Sequence, residues 1–168
     1  MTAKEVSERE LFEAQLFVYA QTWLNQMTDA MYEFYGIDHE ATEYKTRRGP
    51  SHARVWWNGN KPSINYNTLD ILRCFQGDFR EYSRTEHVWG KFLKSALGYR
   101  GLYALAVHEF AHVLDCTVNG PPRRDGAGRN IWHGRRFCNC IRRIRGDFPP
   151  PELRSCDVLA ANRLRTAS

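Results

Sequence analysis

His108-Glu109-Phe110-Ala111-His112 puts two imidazoles and a carboxylate within five residues. On a helix the two histidines lie about 40° apart and Glu109 about 100° from His108, so both rings reach one ion with the carboxylate at the edge of the same face. Neutral imidazole nitrogens suit Zn²⁺, and an adjacent carboxylate can take the proton from a zinc-activated water. An HExxH string arises by chance in roughly one or two chains per hundred of this composition. Its surroundings favour a helix: Tyr103, Val107, Phe110 and Leu114 share the opposite face, and Asn119-Gly120-Pro121-Pro122 supplies a stop. The expectation is one catalytic Zn²⁺ with Glu109 as general base.

Two histidines do not complete such a site, because a catalytic zinc keeps three protein ligands and one open position. The metzincin pattern would need Gly at 115 and His at 118, and the chain has Asp115 and Val118, which excludes that class. His133, 21 residues after His112, is the best candidate third ligand. It opens a segment in which Phe137, Cys140, Ile141 and Ile144 share its face, while Arg135, Arg136, Arg142, Arg143 and Arg145 project elsewhere. One helix thus presents His133 inward and the arginines outward. Asp115, near His108 and His112 on the helical wheel, is either an exposed helical residue or a carboxylate that orients a ligand histidine through a hydrogen bond.

With His133-Gly134-Arg135-Arg136-Phe137 following the HExxH, the chain resembles the SprT-like zinc metallopeptidases, whose pattern is HExxH, a variable loop, then HGxxF or HGxxW. Ser63-Ile64-Asn65-Tyr66-Asn67 with Leu69 looks like the strand that precedes that family's second helix. The resemblance covers roughly residues 8–146 and implies that His108, His112 and His133 bind zinc, with Glu109 as base. It further implies a small zincin-like α+β domain over 1–148: an N-terminal helix, a short sheet or hairpin whose edge binds extended substrate, and two metal-bearing helices. Residues 149–168 would be a proline-started, arginine-containing tail. Many such proteins continue into a four-cysteine zinc ribbon. Here Cys138 and Cys140 fall inside the third-ligand helix with only Cys156 beyond, so they read as ordinary thiols. His108 to Asp115 also resembles the Mlc titration factor A peptidases, whose third ligand is a later glutamate, for which only Glu152 is available.

The elements that must position these groups are legible in part. Leu11, Phe12, Leu16, Tyr19, Ala20, Trp23, Leu24, Met27, Ala30, Met31, Phe34 and Tyr35 recur with a period of about 3.6, which predicts a core-facing helix from about Glu8 to Tyr35. Ser7 and Glu10 have capping-box spacing and Gly36 suits its end. Residues 38–52 read as a loop, Ala53–Asn58 and Ser63–Asn67 as a hairpin, Thr68–Phe75 and Val88–Leu97 as helices.

The 168 residues, 42% hydrophobic and 26% charged, describe one globular domain that needs no zinc to fold. Leu102–Val107 is the longest mainly apolar run, far short of the roughly 20 residues a span needs, and the acidic N-terminus lacks signal-peptide character. Five cysteines, an odd number, fit a reducing cytoplasm or nucleoid and not a secreted scaffold. Residues 1–120 hold 13 basic and 15 acidic residues, whereas 121–168 hold 11 arginines and 4 acidic residues. Those arginines make DNA a candidate partner, with Arg135, Arg136, Arg142, Arg143 and Arg145 as its contacts. The reading is a zinc metalloendopeptidase acting on proteins, including DNA-associated or DNA-crosslinked ones. The competing class is a non-catalytic zinc-containing module that binds DNA or protein.

Overall fold

A computed structural model of the protein describes residues 3–45, 53–76, 98–152, 160 and 162–163. The expected helix over Val88–Leu97 and Cys156 lie outside the described residues.

Helix α1 runs Ala3–Tyr35. It starts before the expected Glu8, so Ser7 and Glu10 both fall inside the helix and not at its start. Its end is as read: Gly36 N–H donates to the Glu33 carbonyl and Ile37 N–H to the Tyr32 carbonyl, the paired bonds of a Schellman motif. The apolar stripe is only partly core. Ala20, Leu24, Met31 and Tyr32 are buried and Phe12, Leu16, Trp23, Met27 and Tyr35 pack beside them, but Leu11, Tyr19, Ala30 and Phe34 are exposed. Thirty-three residues span about 50 Å, and the neighbouring elements leave those four side chains in solvent.

Strands β1 (Glu43–Lys45), β2 (Arg54–Asn58) and β3 (Lys61–Asn67) form a sheet in the order β1-β3-β2. The β2–β3 hairpin is the expected one, with Asn58 opposite Lys61 across a Gly59-Asn60 turn. Strand β1, in a stretch read as loop, pairs parallel with β3 from Glu43↔Asn65 to Lys45↔Asn67. Tyr44 draws it in, donating its hydroxyl to Asn25 Oδ1 of α1 at 2.6 Å and to the Gln21 carbonyl at 3.0 Å. Asn67 Oδ1 then accepts the Leu69 N–H, starting α2 (Thr68–Gln76) with a side-chain cap. Buried Asp70 in its first turn takes the Ala53 N–H at 2.8 Å, which fixes where β2 begins.

Helix α3 (Tyr99–Asn119) carries the HExxH. Its burial is not confined to the Tyr103, Val107, Phe110 and Leu114 face: residues 101–111 and 113–115 are all buried. The reason is tertiary, since α1, α2, β2, β3 and the next helix all pack on it, and Ala104, Ala106, Ala111 and Gly101 let them come close. Gly120 ends it at φ 74°, ψ −171°, a backbone combination essentially reserved for glycine. The stretch after it is not a plain loop. Strands β4 (Arg123–Arg124) and β5 (Asn130–Ile131) pair antiparallel, and Asp125 Oδ1 closes their connection by accepting the Ala127 and Arg129 N–H groups.

Helix α4 (Arg135–Asp147) buries Phe137, Cys138, Cys140, Ile141 and Ile144. It runs antiparallel to α3: Arg136 near its start reaches Asp115 near α3's end, while Phe148 just past it accepts a 2.7 Å bond from the Tyr103 hydroxyl. Arg100 continues the strap by donating to the Pro151 carbonyl, and further on Ala160 packs on the core and the Arg163 guanidinium lies 4.5 Å from the Phe12 ring centre. The architecture is mixed α+β, as expected, and among the described residues no helix is long and apolar enough to cross a membrane.

Candidate metal centre

Helix α3 supplies His108 and His112 from consecutive turns, so their rings meet edge to face on one side of it, 5.1 Å between centroids. His133 joins them from elsewhere: its Nε2 lies 3.2 Å from Nε2 of His112, and one ring nitrogen from each of the three histidines falls within 4.8 Å of the others. Tetrahedral coordination at 2.0–2.1 Å per bond would separate two ligand nitrogens by about 3.3 Å. The His112–His133 pair has that spacing, and the His108 nitrogen lies near enough for the three to hold one ion. His133 is not on a helix, contrary to expectation. It sits in the turn between β5 and α4, two residues before Arg135, because the chain must still reverse after Ile131 before α4 can begin. Gly134 keeps the turn close: a Cβ there would come within 3.2 Å of the Ile131 side chain, which would have to give by a few tenths of an ångström.

Phe137 is the plate against which all three rings rest. Its centroid lies 5.0 Å from His108, 4.4 Å from His112 and 4.9 Å from His133, and it is wholly buried. Trp132 closes a further side, edge-on to His112 at 5.9 Å. Exposure rises from His108 (buried) through His112 to His133 (exposed), so the cluster spans the boundary between core and solvent. Glu109, beside His108, is 3% exposed. Its charge adds to the effect of burial in pushing the Tyr66 hydroxyl well above its ordinary pKa.

Burial, reinforced by the neighbouring imidazoles, pushes His108 well below its ordinary pKa and lowers His112 to about 3. Both rings are thus neutral near pH 7 and ready as ligands. In metal-free protein the unfolded chain protonates these histidines near 6.5 while the folded one resists, so the unfolded state holds more protons in between. Their contribution to stability is full above 6.5 and is lost as the pH falls towards 3. With chelator present, the urea midpoint should drop between about pH 7 and pH 4, and by less in His112→Asn. Equal pH dependence in the two proteins would contradict the assignment.

Two site residues are corrected. Asp115 is buried, and among the described residues its carboxylate bonds to Arg136 Nε at 3.0 Å and Asn119 Nδ2 at 2.9 Å, not to a histidine. Arg136 does not project outward either. Its guanidinium also donates to the carbonyls of Gly120, at 2.8 Å, and Asp115, locking the start of α4 onto the end of α3. Arg136→Ala should cost about 2 kcal/mol, below the 3–5 typical of a fully buried pair because its side chain is 24% exposed. Urea denaturation measures this, and a double-mutant cycle with Asp115→Asn should show the two residues coupled.

No family model, curated protein or solved structure matches the chain.

The other α4 arginines divide. Arg142 bonds to Asn139, Arg143 lies over the Tyr35 ring and pairs with Asp147, and Arg135 is exposed. Cys74, Cys116, Cys138 and Cys140 are free thiols, and burial pushes Cys140 up to about 11, which leaves it unreactive at neutral pH. Sequence reasoning missed Trp132, whose only signal was adjacency to His133, and it assigned no role to the Asp115–Arg136 pair, whose partners are 21 residues apart.

Proposed function

We propose that the chain is a zinc metalloendopeptidase of zincin-like architecture. The observation that carries the reading is the convergence of three imidazole nitrogens within 4.8 Å, one ring exposed to solvent, with a buried carboxylate next in sequence to the first ligand. Three nitrogen donors with an accessible side are the donor set of a catalytic zinc site, whereas structural sites close with four. Zinc held there would acidify a water and polarise a peptide carbonyl. Glu109 takes the proton of the attacking water at its carboxylate and returns it to the leaving amine. Its burial keeps bulk water from competing for that proton. Phe137, wholly buried, backs all three imidazoles, and half-exposed Trp132 packs edge-on against His112. The resemblance to the SprT-like pattern at 108–112 and 133–137 supports the same reading, and the four thiols free among the described residues are compatible with a reducing setting.

The test is metal analysis of the protein as isolated, together with cleavage of unfolded casein before and after chelation. One zinc per chain, activity lost with chelator and restored by added zinc is the expected result. Zinc without cleavage would favour the non-catalytic binding module, and no zinc at all would overturn both readings.

A further inference from the structure

A pocket of about 300 Å³ lies behind the turn that carries His133, lined by Asp115, Arg123, Ile131, Gly134, Arg135 and Arg136. Ile131 and Gly134 face this pocket while the two residues between them, Trp132 and His133, pack with His112. One short turn is thus shared by the pocket and the candidate metal centre.

The charges in its wall are unequal. Asp115 is answered by Arg136 and Asn119. Arg123 and Arg135 come from different elements, β4 and the first residue of α4, and among the described residues neither has an ion-pair or hydrogen-bond partner. Two uncompensated guanidiniums beside one cavity are a fork for an oxyanion, since each offers paired N–H donors in the geometry a carboxylate accepts. The cavity is at the lower end of ligand-pocket sizes, room for one side chain and not for a stretch of nucleic-acid backbone.

We propose that this pocket is a carboxylate subsite, which takes an acidic side chain of the polypeptide substrate through Arg123 and Arg135. The identity of the source rests on the peptidase reading; the carboxylate chemistry does not. A carboxylate held there would also brace the Ile131–Gly134 turn from the side opposite the ligand ring.

The protein as isolated is titrated with N-acetyl-glutamate amide and with its neutral glutamine counterpart, following arginine Nε–Hε signals by NMR. Expected is saturable binding of the acidic probe alone, weakened about tenfold or more in Arg123→Gln/Arg135→Gln and unchanged in Arg142→Gln. Acetate alone should bind at the same place but more weakly, which separates a free anion from a side chain. In the cleavage assay, wild type should prefer a glutamate peptide over its glutamine twin about tenfold, and the double variant should lose that preference. Equal binding of the two probes, or undiminished binding in the double variant, overturns the subsite whether or not the chain cleaves peptides. Stronger binding of a single-stranded oligonucleotide than of the acidic peptide overturns it in favour of a phosphate site. Retained glutamate binding in a protein that holds no metal leaves the subsite standing and removes the peptidase reading alone.

Discussion

Glu109→Gln should leave the zinc content at wild-type level and lower peptide hydrolysis about 10²- to 10⁴-fold, the usual worth of a positioned general base. The substitution isolates proton transfer because it changes so little else. Glutamine has nearly the volume of glutamate, so the 3% exposed site is neither emptied nor overfilled. The metal should stay because, among the described residues, the cluster of potential ligands is His108, His112 and His133, without Glu109. What is lost is the basic oxygen, since an amide cannot hold a proton between water and a leaving amine. Parallel metal analysis and kcat measurements on wild type and variant decide it. Cleavage at the wild-type rate with zinc still bound would remove Glu109 as the base.

The second large effect is on metal affinity. His133→Ala should weaken zinc binding more than about 100-fold, beyond the 10- to 100-fold that loss of a ligand's supporting residue costs. This side chain is well suited to the test because it is exposed and lies in a turn, so its removal opens no core cavity and should change folding stability by no more than about 0.5 kcal/mol. His108→Ala, in contrast, would empty a fully enclosed position against Phe137 and confuse lost ligation with lost packing. Competition against a chromophoric chelator, with urea midpoints as the folding control, separates the two effects. Undiminished affinity in a folded His133→Ala protein would move the third ligand elsewhere.

These two predictions differ in how far the sequence alone supports them. His108, Glu109 and His112 sit within one helical segment, so the 3.6-residue period relates them without any knowledge of the fold. The β2–β3 hairpin was legible for the same local reason, through its turn residues between β-prone runs. Three-residue β1 was not, because its pairing with β3 is long-range and its draw is the Tyr44 hydroxyl reaching α1. The α1 stripe misled in the other direction: periodicity reports a helix and an apolar face, but how far a neighbour covers that face depends on what stands opposite, and Leu11, Tyr19 and Phe34 have little there.

By itself, then, the sequence determined the chemistry available: two imidazoles and a carboxylate in fixed angular relation on one helix, a third histidine at a plausible distance along the chain, and an arginine-rich end. Those are consequences of local backbone geometry and of composition. Only the tertiary structure decided that His133 comes from a turn and reaches His112, that Phe137 touches all three rings, and that Arg136 is spent on Asp115 while Arg123 and Arg135 line a cavity. Helix periodicity gives the direction in which a side chain leaves its own axis. Whether it meets a partner, solvent or a cavity is set by where a second, sequence-distant element lies, and that is fixed by how α3, α4 and the β4–β5 hairpin pack together.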